Sequence, residues 1–166
     1  MTSFFLDSSA LVKRFVPETG SPSMDYLLQS VEEHRVYLLN IGYAEVVSVF
    51  VRKRNAGLIS AAQFGNALIN LEKEIIKSPG KFVLSFNNSV TTDALALIVK
   101  HSINSTDAVL LQVAMDVAEH LRIGGDKLAL VSSDQRLLGA AKAEALLTFN
   151  PETEPLLVLA AHVTTN

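Results

Sequence analysis

Twice in this chain a short apolar run empties into small hydroxyl residues and an aspartate, and then into helical spacing. The first instance is Phe4-Phe5-Leu6-Asp7-Ser8-Ser9-Ala10; the second is Leu128-Ala129-Leu130-Val131-Ser132-Ser133-Asp134. An apolar run of strand length bounded by polar residues reads as a buried strand. The aspartate then stands where a strand hands over to a helix. In an open α/β sheet the ligand crevice lies outside the carboxyl ends of the strands. An acid at that point is either a helix N-cap, a role aspartate favours, or part of an active site.

The rest of the chain repeats the strand–helix alternation. Residues 3–6 are expected to be a first strand and 8–16 a short helix stopped by Pro17. Glu18 to Pro22 reads as a loop, and Ser23 to Glu33 as a helix with Met24, Leu27, Leu28 and Val31 on its apolar face. Val36 to Leu39 is a second strand. The β-branched stretch Ile41 to Arg52 is too long for a typical strand and is read as a helix, with Glu45 near its start, where an acid suits the helix dipole. Ser60 caps a helix over 60–77, Phe82 to Leu84 is a third strand, and a helix from about Ser89 to Lys100 carries Asp93 early. Ser105 or Thr106 is expected to cap a helix running to about Leu121, with Asp107 in its first turn. Strands follow at 128–131 and 146–149. The apolar stretch Leu156 to Val163 fits either a helix or a strand. Such alternation predicts an α/β fold with a mainly parallel sheet.

Bulk properties narrow the function. The 166 residues fit one domain, here expected as a body over 1–151 and an apolar extension, 152–166, packed on it. Apolar residues make up 49% of the chain and charged residues 19%, which suits a sheet covered on both faces. No apolar stretch reaches membrane-spanning length, and no signal peptide is read at the start. The absence of cysteine excludes disulfides and Cys-ligated zinc and is compatible with a cytoplasmic protein. Net charge is −3, which argues against general nucleic-acid coating but not against a nuclease with a local basic patch.

Asp7, Glu45, Asp107 and Asp134 share one type of position: the carboxyl end of a strand or the start of a helix. In a parallel sheet these points face one edge. Like charges gathered there repel unless protons or cations compensate them. The alternative is four independent capping or first-turn acids. If they converge, Mg²⁺ or Mn²⁺ suits an all-oxygen donor set, and such ions serve phosphodiester hydrolysis by acidifying water and stabilising phosphoryl charge. Lys13, Arg14 and Arg136 follow these acids closely and could touch phosphates; ordinary surface charge is the other reading. Arg52-Lys53-Arg54 suits a helix C-terminus. The four histidines have no ligand spacing, and Gly124-Gly125 precedes a strand rather than a helix, so it is no phosphate loop.

Taken together, these motifs resemble the PIN-domain ribonucleases, and within them the VapC-like toxins of type II toxin–antitoxin pairs. The resemblance rests on Phe5 to Lys13 with Glu18-Thr19-Gly20-Ser21, on Ala44-Glu45-Val46 with Arg52-Lys53, on Thr106-Asp107-Ala108, and on Val131 to Leu137 with Phe149-Asn150-Pro151. It spans residues 3–151 in order. It departs after Asp107, where Ala108 to Gln112 replaces a His-containing stretch common in relatives. The resemblance implies a three-layer α/β/α PIN-like fold and Mg²⁺- or Mn²⁺-dependent endoribonuclease activity. It implies Asp7, Glu45, Asp107 and Asp134 as the catalytic, metal-holding acids, with Ser132 orienting a ligand or water. It also implies an RNA substrate, a small antitoxin partner and a homodimer. Two other readings are a non-catalytic PIN-like protein-binding module and an aspartate-dependent phosphatase. The phosphatase usually needs a second acid two residues after the nucleophile, where this chain has Ser9.

Overall fold

The computed structural model describes residues 1–164, so the last two residues of the expected extension lie outside the described residues. Five strands form one sheet: β1 (Thr2–Leu6), β2 (Val36–Leu39), β3 (Phe82–Leu84), β4 (Lys127–Val131) and β5 (Leu147–Phe149). Their order is β3-β2-β1-β4-β5 and every neighbouring pair is parallel. The chain first builds outward from β1 to β2 and β3. It then returns to place β4 on the other side of β1. The point where the winding reverses, between β1 and β4, is where a doubly wound sheet opens its ligand crevice.

Alternation along the strands assigns the two faces. Phe4, Leu6, Val36, Leu38, Ala129 and Val131 point into one core. Phe5, Leu39, Leu128 and Leu130 point into the other. The first core is covered by α1 (Ser8–Leu11), α2 (Ser21–Ser30), α3 (Asn40–Asn55), α4 (Ala61–Leu71) and α8 (Leu156–Thr164). The second is covered by α5 (Asn88–His101), α6 (Ser105–Ile123) and α7 (Gln135–Ala143). The result is the expected three-layer α/β/α sandwich. Because both faces are covered, the strands read as nearly continuous apolar runs.

Several boundaries differ from the sequence reading. The helix after Asp7 is only Ser8–Leu11, followed by a 3₁₀ turn over Val12–Arg14. The second helix begins at Ser21, since Pro22 starts it rather than belonging to the loop; proline is at home in a helix's first turn. It ends at Ser30, and Glu33–Arg35 forms a separate 3₁₀ turn. The α4 helix has the capping box Ser60/Gln63 and passes at Glu72–Ile76 into a π-helical turn. The apolar tail is a helix, α8, and buries Leu159 completely in the first core. Among the described residues, no single helix is long and apolar enough to cross a membrane.

Candidate active site at the carboxyl edge of the sheet

Asp7 is the first residue beyond β1. Its N–H donates to the Val131 carbonyl at 3.0 Å, so the β1–β4 pairing extends to the site itself. The side chain caps α1. Oδ1 accepts the Ser8 N–H at 2.7 Å, and Oδ2 accepts the Ser9 N–H at 3.3 Å. Two hydroxyls also donate to Oδ2, that of Ser9 at 2.5 Å and that of Ser132 at 2.8 Å. Asp7 is 5% exposed. A carboxyl this deep needs such donors to offset its lost hydration.

Asp134 caps α7 in the same manner. Its Oδ1 accepts from the N–H groups of Arg136 at 2.7 Å and Leu137 at 3.2 Å. Asp107 lies in the first turn of α6, as expected, but the cap is Asn104 rather than Ser105 or Thr106. Asn104 Oδ1 accepts the Asp107 N–H, and Asn104 Nδ2 donates to Asp107 Oδ2, both at 2.8 Å. Asn104 was legible as Asn-x-x-Asp, but two adjacent hydroxyl residues competed for the same role. Glu45 is half-buried on α3. Because that helix starts at Asn40, Glu45 falls in the second turn and is no first-turn acid. Asp93 likewise lies beyond the first turn of α5 and is exposed.

Electrostatics show that the four acids share one neighbourhood. Burial, then the charges of Asp7, Asp134 and Glu45, push the Asp107 carboxyl up to about 6, with Arg136 opposing them. Burial also raises Glu45, eased by the Ser8 hydroxyl and Arg52 and reinforced by Asp7. Negative charge at this edge is therefore in excess. As they stand, no three acidic or histidine side chains among the described residues are gathered closely enough to grip an ion. The donor set nevertheless fits a hard divalent cation in kind. All four donors are carboxylates. Asp107 Oδ1 and Asp134 Oδ2 receive no internal hydrogen bond among the described residues, and Glu45 takes one from the Ser8 hydroxyl.

Three other expected residues fall differently. Ser132 is fully buried; its hydroxyl donates to Asp7 and accepts the Asp134 N–H at 3.0 Å, so its partners are protein groups. Lys13 is corrected: it is only 3% exposed and its Nζ donates to Glu18 at 2.7 Å and Glu152 at 2.5 Å. Glu18 also takes Lys53. Burial would raise the Glu18 carboxyl, but the two lysines together hold it below its usual range. Arg14 is corrected as well, being committed to Asp25 and Glu74. Both cations sit just after a helical turn that aims them back into the fold, where carboxylates satisfy them. Arg136 alone of the three is exposed and close enough to influence Asp107.

Comparison with known proteins decides the family. A PIN-domain family model matches residues 4–143. The chain belongs to the PIN-domain family. PIN domains as a family are nucleases and generally use divalent metal ions. No curated protein matches the chain. Among solved structures, PAE2754 of Pyrobaculum aerophilum is 20% identical with a TM-score of 0.62, over 97% of this chain and 99% of that one. FitAcB of Neisseria gonorrhoeae is 19% identical with a TM-score of 0.62, over 91% and 99%. VapC20 of Mycobacterium tuberculosis, a sarcin–ricin-loop-cleaving toxin, is 19% identical with a TM-score of 0.57, over 83% and 95%. At these identities the likeness is one of fold.

Proposed function

We propose that this PIN domain is a metal-dependent endoribonuclease acting as the toxin of a toxin–antitoxin pair. The observation that carries the reading is the placement of Asp7, Glu45, Asp107 and Asp134 around the β1–β4 switch point, where the charges of the other three raise Asp107 and that of Asp7 raises Glu45. Such an edge calls for a compensating cation, Mg²⁺ or Mn²⁺, held by these four carboxylates. When bound, a hard divalent ion acidifies water and neutralises charge developing on a phosphodiester. The chain's own residues do the rest. Ser9 and Ser132 hold Asp7 oriented, and Asn104 holds Asp107 through Oδ2. Arg136, exposed beside the acids, meets the substrate's phosphates. A small antitoxin, a homodimer and a cytoplasmic setting belong to the same reading, which the toxin fold of VapC20 supports.

The test is cleavage of a mixed cellular RNA pool by purified protein with Mg²⁺, with Mn²⁺ and with EDTA, beside Asp7→Asn. The expected result is metal-dependent cutting that EDTA blocks and the variant loses while keeping its fold. Normal cleavage by a folded Asp7→Asn variant would refute the site. No cutting by folded, antitoxin-free protein under either metal would favour a non-catalytic binding module.

A further inference from the structure

Two serine hydroxyls converge on one oxygen of Asp7, and each is anchored from behind by a backbone N–H of the turn after β4. Ser132 Oγ accepts the Asp134 N–H at 3.0 Å and donates to Asp7 Oδ2 at 2.8 Å. Ser9 Oγ accepts the Ser133 N–H at 2.9 Å and donates to the same Oδ2 at 2.5 Å. Both hydroxyl hydrogens are thus used, and the 3.2 Å approach of the two oxygens to each other is a packing contact. The two relays differ in one respect. Ser132 belongs to the turn whose N–H it accepts. Ser9 belongs to α1, so its relay crosses from the first βα connection to the turn that presents Asp134.

We propose that Ser9 is a positioning residue of the acidic site: its hydroxyl fixes the Asp7 carboxylate and the turn carrying Asp134 in one mutual arrangement. This rests on the proposed reading of those acids as metal-holding groups. Without the hydroxyl, Asp7 keeps Ser132 and its backbone caps, so the fold survives. The carboxylate then loses one of the two hydroxyls that hold Oδ2, and Ser133 N–H loses its acceptor. Groups that orient a metal-holding residue from behind typically change metal affinity or activity by about 10–100-fold when removed.

The test compares Ser9→Ala, Ser9→Cys and Ser9→Thr with wild type. Mn²⁺ affinity is measured by calorimetry without RNA, kcat and KM by RNA cleavage, and folding by thermal melting. Expected for Ser9→Ala is roughly tenfold weaker Mn²⁺ binding and a lower kcat with KM for RNA unchanged. Ser9→Thr, which keeps the hydroxyl, restores both. Ser9→Cys keeps the volume but is a weak donor; it behaves as Ser9→Ala and decides the matter should the alanine variant not fold. Mn²⁺ affinity within about twofold of wild type in a folded alanine or cysteine variant would overturn the proposal. So would a folded threonine variant as weak as alanine. A wild type that binds Mn²⁺ but cuts no RNA refutes the ribonuclease reading and leaves Ser9 to be judged on Mn²⁺ alone. A wild type that binds no Mn²⁺ overturns both.

Discussion

Replacing Asp107 with Asn is expected to make the metal-free protein more stable. Burial and three neighbouring carboxylates raise the Asp107 pKa from 3.8 to about 6. By linkage, a raised acid binds more protons folded than unfolded, so stability falls as pH climbs from about 4 to about 6 and stays lowered above it. Taken at full weight the rise corresponds to about 3 kcal/mol. Asp107 is only half-buried, and solvent screening reduces the figure to about 1–2 kcal/mol. Removing an acid from the first turn of α6 forfeits roughly 0.5 kcal/mol of favourable dipole interaction. Asparagine keeps an oxygen for the Asn104 Nδ2 bond, and the Asp107 N–H bond to Asn104 Oδ1 is a backbone feature that survives. The net is a gain of about 1 kcal/mol at neutral pH, which for a domain of this size is about 2–4 °C in Tm. Melting in EDTA across pH 3.5–8 reads it directly. The variant's advantage is present above about pH 6 and shrinks towards pH 4, and added Mn²⁺ stabilises wild type more than the variant. A variant that melts lower than wild type at pH 7, or a difference independent of pH, would refute the crowding of charge at this edge.

Three further substitutions probe the surroundings of the site. Lys13→Met is expected to lower stability by about 1–2 kcal/mol, below the usual loss for breaking a buried pair because Glu18 keeps Lys53 and Glu152 can rehydrate. It should leave the salt dependence of RNA binding unchanged, whereas Arg136→Ala leaves Tm near wild type and reduces that slope by about 1; filter binding across salt concentrations with parallel melting checks the pair. Gly20→Ala is expected to lower Tm by several degrees. Gly20 has φ +90° and an added Cβ would lie 2.8 Å from the Pro151 carbonyl oxygen, so about 1–2 kcal/mol of left-handed strain adds to a clash with backbone that has no flexible end to yield.

What could be read from the sequence followed from local chemistry, and what could not depended on contacts distant in the chain. The strands Phe4 to Leu6 and Leu128 to Val131 were legible because both faces of a covered parallel sheet demand apolar residues. Their aspartates marked the edge where a site belongs. The helical state of Leu156 to Val163 was not legible, since an apolar run that short fits either element. Only the burial of Leu159 against the first core decides it, and that is a tertiary fact.

 Leu159 is wholly buried there. Lys13 shows the same limit more sharply. Beside Asp7 it looks like a phosphate ligand, and nothing local reveals that Glu152, 139 residues away, claims it. The Ser9 relay was hidden for the same reason, since Ser133 lies 124 residues further along the chain.

For Asp7 and Asp134, cap and site are not exclusive readings. Each caps a helix and each faces the acidic edge. Capping is what makes them dependable there. A side chain bonded to two N–H groups of its own first turn has its rotamer set by the backbone, before any long-range contact forms. In Asp134 both bonds use Oδ1, so Oδ2 is left for the crevice. Asp107 reaches the same end by another route, giving Oδ2 to Asn104 and leaving Oδ1. Glu45 caps no helix; it stands on the longest side chain of the four and takes the Ser8 hydroxyl. On the proposed reading these local hydrogen bonds set the aspartates as a frame for an ion, although no three acids among the described residues are gathered around one.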